Sequence, residues 1–458
     1  MGLTPRREGA IGARARHSPA AATFLDRLEP FFAGTEVTAG PLMIATIAAL
    51  LLTNLGTATL YERFWDTDLS IGFGAREISH TLAEWIDHAL LPLFFVVIGA
   101  DVKRELVRGE LSRRETAFFP LAGAVGGLVV PVALFLLIDR TATSVGWGTV
   151  VTMDTAFGLG LIALFSTRLP AGVRALMLAF AAIDDVGGLA VIAFAYTPEI
   201  DPVGLIVAGT ALAAMLLLHR LRWVASIPYV LLALIVWGGV LESGVHATIA
   251  GVLVGLAVPV MPRLDHDTFA ARVQKRIDEF QEANVEARLA EDDERALAAE
   301  HRAADRLGYI QEMTAATDET SERVIVALTP WISYVVLPLF ALSNIRIHFA
   351  PELFAGLLSP LGLAIVAGLA LGKPLGFLSF SWAASAVGLA RRPEGVSWLM
   401  VGAIGALAGI GFTISLFIAQ LAFGRGEERE IASLAILVAS LASGAVGWLL
   451  LRRIVRSA

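Results

Sequence analysis

Four charged residues interrupt long apolar stretches of this chain: Asp154 in VVTMDTAFGLG, Asp184 and Asp185 in FAAIDDVGG, and Lys373 in LALGKPLGFL. One Asp or Lys at the centre of a membrane helix is unfavourable by about 2.5–3.5 kcal/mol, so four of them approach about 10 kcal/mol before any pairing. Such residues must face one another or water. An inert pair of Lys373 with one Asp would fasten two helices, but two acids would remain, and a buried pair is weak evidence for stability. The leftover acids require another cation. Neighbours on a helix diverge by about 100°, so one of Asp184 and Asp185 can pair with Lys373 while the other faces a cavity.

The choice of lysine carries chemistry as well. The chain has three lysines, Lys103, Lys275 and Lys373, against 32 arginines. An ammonium gives up its proton on desolvation far more readily than a guanidinium, so Lys373 can titrate, and it does so as one coupled set with the acids around it. A hard monovalent cation prefers several oxygen ligands, by analogy with other hard ions. Its arrival at the carboxylates would expel protons, so cation and proton would compete for one site.

These residues must be positioned by membrane-spanning helices. The chain has 458 residues, 56% of them hydrophobic, and a mean hydropathy of +0.70, which a single soluble core does not accommodate. A spanning helix needs about 20 mostly apolar residues. Twelve segments meet that need, at 40–61, 82–100, 116–138, 147–167, 174–196, 203–218, 223–241, 244–261, 324–343, 358–385, 398–423 and 431–451. The short alternating strands of a membrane β-barrel are missing, so the expected fold is an all-α polytopic membrane protein. The leader before residue 40 is too long for a secretory signal peptide, and 40–61 is expected to stay as the first helix. With no cysteine, disulfides and thiolate metal sites are excluded.

Lys and Arg set the orientation, because cytoplasmic loops carry an excess of them. The N-terminus, the even-numbered connections other than 263–323, and the C-terminus hold 19, and the odd-numbered connections hold 6. Both termini are therefore expected in the cytoplasm. Residues 1–39 read as a cytoplasmic N-terminal segment, 40–262 as spans one to eight, 263–323 as a charged cytoplasmic insertion, and 324–458 as spans nine to twelve with a short cytoplasmic tail. The insertion carries 9 Lys and Arg against 16 Asp and Glu, a net of −7 that equals the charge of the whole chain. Phe269, Val273, Ile277 and Phe280 recur in it at helical spacing, which predicts an amphipathic helix.

Span four carries Gly158 and Gly160 just after Asp154, and span eleven carries Gly402, Gly405, Gly409 and Gly411. Each is the middle member of a three-span group, and the two groups start on opposite sides. Paired glycine-interrupted spans at corresponding positions point to inverted repeats with a midplane site. For Gly405 and Gly409 the alternative is plain small-residue packing between helices.

Seven motifs in order, FFVVIGADVKREL, MDTAFGLGLIALFSTRLP, FAAIDDVGG, SGVHATIAG, LPLFALSN, GKPLG and GIGFTISLFIA, closely resemble the NhaA-type sodium/proton antiporters over 38–262 and 324–456. The resemblance implies twelve transmembrane helices with inverted-topology repeats, in which spans four and eleven are broken and cross. It implies electrogenic exchange of Na+ or Li+ for more than one H+. Asp185 would be the principal cation carboxylate, Asp184 the one that exchanges between Lys373 and a proton, and Asp154 the charge balancing the facing ends of the broken helices. Thr152 and Thr155 are further oxygen donors, Met153 standing where family members commonly have a Thr. Asp101, Lys103, Arg104 and Glu105 in ADVKREL fall where the family has its cytoplasmic funnel and pH-sensing region, although ordinary positive-inside flanking also explains them. His246 would tune the pH response or simply hydrogen-bond within the bundle. The loop YERFWDTDLSIGFGAREIS falls where the family has a dimerisation hairpin, so a homodimer in membrane lipid is implied, in a prokaryotic cytoplasmic (inner) membrane.

The expected protein is thus a secondary antiporter and not an enzyme, with no cofactor and no nucleic-acid partner. A proton-coupled transporter of another solute keeps the acids and changes the cargo. An intramembrane aspartyl protease needs two acids on facing helices sharing one proton, typically in a Gly-x-Gly-Asp setting; here the settings are TMDT and AIDD.

Overall fold

The computed structural model describes residues 39–73, 76–197, 200–221, 223, 226–260, 273–282, 285 and 320–457. The N-terminal segment and most of the charged insertion lie outside these residues. Of the amphipathic helix expected in the insertion, 273–282 is helical, while Phe269 lies outside the described residues.

Helices dominate. In chain order, leaving 273–282 unnumbered, they are α1 (Ala39–Asn54), α2 (Ala58–Trp65), α3 (Leu82–Val107), α4 (Arg114–Ile138), α5 (Thr155–Ala163), α6 (Ala171–Ala195), α7 (Pro202–Arg220), α8 (Ser226–Glu242) and α9 (Ala247–Ala257). After the insertion come α10 (Ser321–Asn344), α11 (Pro351–Gly356), α12 (Pro360–Ala386), α13 (Trp398–Ala408), α14 (Phe412–Phe423) and α15 (Glu427–Ser457). Among the described residues, 8 helical segments are long and apolar enough to cross a membrane, counting 142–163, which ends in α5, as one, or up to 10 if each of two bent pairs is one span. Two shorter apolar helices, Ile227–Glu242 and Ala247–Ala257, accompany them. Strands β1 (Asp68–Phe73) and β2 (Arg76–Thr81) pair antiparallel, in register from Asp68 opposite Thr81 to Phe73 opposite Arg76.

The segment expected as one span over 40–61 is divided. Helix α1 ends at Asn54 and α2 leaves at 120° to it. Gly56 takes the turn with φ +82°, a conformation that glycine adopts without a Cβ clash.

Three helices widen by one residue ahead of a proline. The π-turns Ile86–Leu90, Ile332–Val336 and Gly368–Gly372 each precede a helix start with proline at its second position, Pro92, Pro338 and Pro374. Proline lacks an N–H and crowds the carbonyl four residues back, so the preceding amide reaches one residue further. In α12 that amide belongs to Lys373, which donates to the Gly368 carbonyl. The bulge thereby sets the direction of the Lys373 side chain.

Helix α12 lies tight against α4. A Cβ added at Gly376 would collide with the Gly126 carbonyl, and one at Gly126 with the Gly376 carbonyl. Backbone meets backbone here, which small residues alone permit. Lys373, one turn before Gly376, is held by this contact deep in the bundle and is fully buried.

Candidate functional site

Helix α6 places Asp184 and Asp185 near its middle, both buried. Their divergence around the helix gives them different partners. Asp184 Oδ1 forms an ion pair with Lys373 Nζ, and both side chains are fully buried. Its other oxygen, Oδ2, accepts the backbone N–H of Met153 at 2.7 Å. Phe180, whose ring centre is 5.9 Å from the ammonium, and Phe377, tilted against Phe180 at 4.6 Å between ring centres, form an apolar wall beside the pair.

Asp185 is less well satisfied. Its Oδ2 accepts from Thr155 Oγ1 over a long 3.4 Å, and its Oδ1 is buried with no hydrogen-bond partner among the described residues. An unpaired buried carboxylate oxygen is costly. Thr152 Oγ1 is also buried with no partner among the described residues, and the Thr152 methyl abuts Gly188, one turn further along α6. Carboxylate and hydroxyl oxygens with spare lone pairs therefore gather on the face of α6 turned to residues 152–155. This is the donor set that a hard cation prefers.

Asp154 stands where two helices start. Residues 142–150 form a 3-10 stretch, residues 152–154 are non-helical, and α5 begins at Thr155 with Asp154 as its N-cap. The Asp154 Oδ1 accepts from Phe157 N at 3.3 Å, while Oδ2 accepts from Thr413 N at 3.2 Å and Thr413 Oγ1 at 2.6 Å. The Asp154 amide donates to the Ile410 carbonyl at 2.5 Å. One carboxylate thus serves the positive ends of both α5 and α14, where the peptide dipoles favour a negative charge.

In the segment expected as span four, the helix is not interrupted at Gly158 and Gly160, which lie inside α5; the non-helical residues 152–154 lie just upstream of them. The cause is Asp154 itself, whose side chain competes for the amides of the helix it would otherwise continue. In span eleven the break does fall at the glycines: Gly409 ends α13, Gly411 precedes α14, and the two helices bend by 40°.

The remaining sequence-predicted residues are engaged elsewhere. Asp101 pairs with Arg104 at 3.0 Å, one turn away on α3. Lys103 Nζ donates to the Val258 carbonyl at 2.7 Å, capping the end of α9, and Glu105 accepts the Glu110 amide at 2.7 Å. His246 bonds the Tyr196 carbonyl through Nε2 at 2.8 Å and packs edge-on against Phe417.

Sequence reasoning overlooked Thr413, which joins Asp154, and the buried Asp87. The first had a signal in its place directly after the Gly409–Gly411 break. The second is a carboxylate five residues into an apolar span, close enough to its start to pass for an interfacial charge.

Residues 29–451 match the family model described as Na+/H+ antiporter 1. A Na+/H+ antiporter NhaA of Rhodopirellula baltica is 38% identical over 428 residues, 92% of this chain and 94% of that protein. One from Oleidesulfovibrio alaskensis is 36% identical over 433 residues, 94% of this chain and 95% of its own. Na+/H+ antiporter NhaA 2 of Sorangium cellulosum is 37% identical over 420 residues, covering 90% of this chain and 87% of its own.

Proposed function

Because the chain belongs to the Na+/H+ antiporter 1 family, we propose that it exchanges sodium for protons at the cluster of Asp154, Asp184, Asp185 and Lys373. The observation that carries this assignment is Asp185 Oδ1, a buried carboxylate oxygen with no partner among the described residues, beside the saturated Lys373–Asp184 pair.

Sodium, or lithium, enters next to Asp185 and takes oxygens from its carboxylate and from Thr155, with Thr152 in reach of the same face. Metal ligands must be deprotonated, so binding expels protons and the two ions compete. Asp184 has two fates. Bound to Lys373 it is neutralised by the ammonium; released, it ligates the cation or takes a proton. Three buried carboxylates and one ammonium leave two negative charges, which one Na+ neutralises by half and two protons neutralise fully. Exchange of more than one proton per cation, which is electrogenic, fits that count. Asp154 keeps the half-helix ends together and stays charged throughout.

In the proposed architecture twelve spans form inverted repeats, with spans four and eleven broken and crossing at Asp154. The two shorter apolar helices, α8 and α9, supply the seventh and eighth. Both termini face the cytoplasm of a prokaryotic inner membrane, and the β1–β2 hairpin joins two copies as a homodimer.

The test is sodium-induced collapse of a respiratory pH gradient in everted vesicles. Asp185→Asn keeps the shape and removes the charge, and exchange should fall to background. An Asn variant that exchanges like the parent would overturn the assignment.

A further inference from the structure

Away from the aspartate cluster, a second group of buried polar side chains joins four helices at one end of the bundle. Asp87, in the π-turn of α3, accepts from Asn344 Nδ2 of α10 at 2.9 Å through Oδ1, and from Gln420 Nε2 of α14 at 2.7 Å through Oδ2. Arg429 of α15 donates to the side-chain oxygen of Asn344 at 3.1 Å and to its carbonyl at 3.2 Å. Asp87 and Asn344 are each 5% exposed. Around them Asp66 binds Arg346 at 2.7 Å and Arg425 at 3.1 Å. The exchange assigned above uses none of these residues.

The same helices build a layer beneath. Phe95 of α3 and Phe340 of α10 each lie 6.4 Å from Phe417 of α14, ring centre to ring centre. All three rings are buried. On α14 the residues Thr413, Phe417 and Gln420 are spaced four and three apart, so they share one face over two turns. That face holds Asp154 at one end, closes the aromatic layer in the middle, and grips Asp87 at the other. Helix α14 is therefore a strut between the cation site and the Asp87 group, and a buried carboxylate with both oxygens bonded fixes its outer end. Movement of that end must break the Gln420 bond to Asp87 and open the ring layer together.

We propose that Asp87, Asn344 and Gln420, braced by Arg429, form the latch that closes the pathway on the side facing away from the cytoplasm. Asp87 and Gln420 then act as positioning residues: they never touch the cation and set how often its site faces outward. The inference rests on the antiport reading and on the orientation given with it.

Cutting the latch shifts population toward the outward-facing state, and an ion's apparent affinity from either side scales with the fraction of protein open to that side. Gln420→Leu and Asp87→Asn should raise the apparent KM for sodium offered from the cytoplasmic face, in everted vesicles. They should lower it from the opposite face, in right-side-out vesicles, each by about 3–10-fold. A role in packing alone reduces the rate from both faces without shifting the two KM values in opposite directions, and that result overturns the latch. The chain has no cysteine, which gives a second measurement. Ser415→Cys, on α14 between the two gripped ends, should react with an impermeant maleimide added outside about fivefold or more faster once Gln420→Leu is added. Equal reaction rates also overturn the latch. If Asp87→Asn fails to reach the membrane, Gln420→Leu, which leaves the carboxylate in place, still decides. A parent protein without sodium/proton exchange would sink the antiport reading; an exchanging parent with unshifted variants sinks only the latch.

Discussion

Lys373 and Asp184 are both without solvent exposure, so each depends on the other for its charge. Removing one partner of such a pair leaves an uncompensated charge in a dry site, which costs about 3–5 kcal/mol, whereas removing both can be neutral. Lys373→Ala should therefore lower the unfolding temperature of the purified protein sharply. Lys373→Met combined with Asp184→Asn should recover most of that loss while still failing to exchange. Thermal unfolding followed alongside transport checks both halves, and a double variant as unstable as the single would show that the pair is not the source of the loss. These two residues, with Asp154 and Asp185, were legible in the sequence because a charge in an apolar run has no cheap explanation. Thr413 was not, since a threonine in such a run is ordinary until Asp154 is seen to need it. Asp87 was hidden by its nearness to the start of a span. The ADVKREL residues were legible as a cluster, but their bonds to Val258, Glu110 and one another are those of helix ends, and their part in pH sensing stays with the proposal.

At the scale of elements, apolar length located most of the long helices, because hydrocarbon thickness fixes how long a span must be, but it did not show that the 40–61 segment turns at Gly56 into two helices. The breaks were harder. Glycines marked the interruption of span eleven, but in span four the capping carboxylate Asp154 decides the break, and Gly158 and Gly160 only continue the helix. The three π-turns follow from prolines that are visible in the sequence, though their effect on side-chain direction is not. The contact of α4 with α12 tests how far the site depends on its scaffold. Gly376→Val would drive a branched side chain into the Gly126 carbonyl, an overpacking that costs about 1–3 kcal/mol. The displaced helix would carry Lys373 away from Asp184, so exchange should slow by about tenfold or more even in protein that still folds. Ser379→Ala on the exposed side of the same helix should change stability by under about 0.5 kcal/mol. Parent-like exchange by Gly376→Val would mean that the helix contact does not position the lysine.

At the scale of the whole molecule, the distribution of Lys and Arg orients every helix at once, so a single error in the span count would reverse everything after it. The charged insertion carries the formal charge of the entire chain, −7, and the rest of the chain, N-terminal segment included, is neutral in sum. Orientation therefore rests on where the positive charges lie and not on how many there are. The cysteine-free sequence allows this to be read directly with single thiols at exposed positions. Ser70→Cys lies in the β-hairpin, Leu221→Cys follows α7, and Glu394→Cys lies between α12 and α13. If the termini are cytoplasmic and the spans number twelve, an impermeant thiol reagent should reach Ser70→Cys only in right-side-out vesicles and the other two only in everted ones. Reaction of Leu221→Cys and Glu394→Cys from opposite faces would mean that one of α8 and α9 does not cross. The α13–α14 break would then start from the other side, and the antiparallel meeting of the two half-helices at Asp154 could not arise from an inverted repeat.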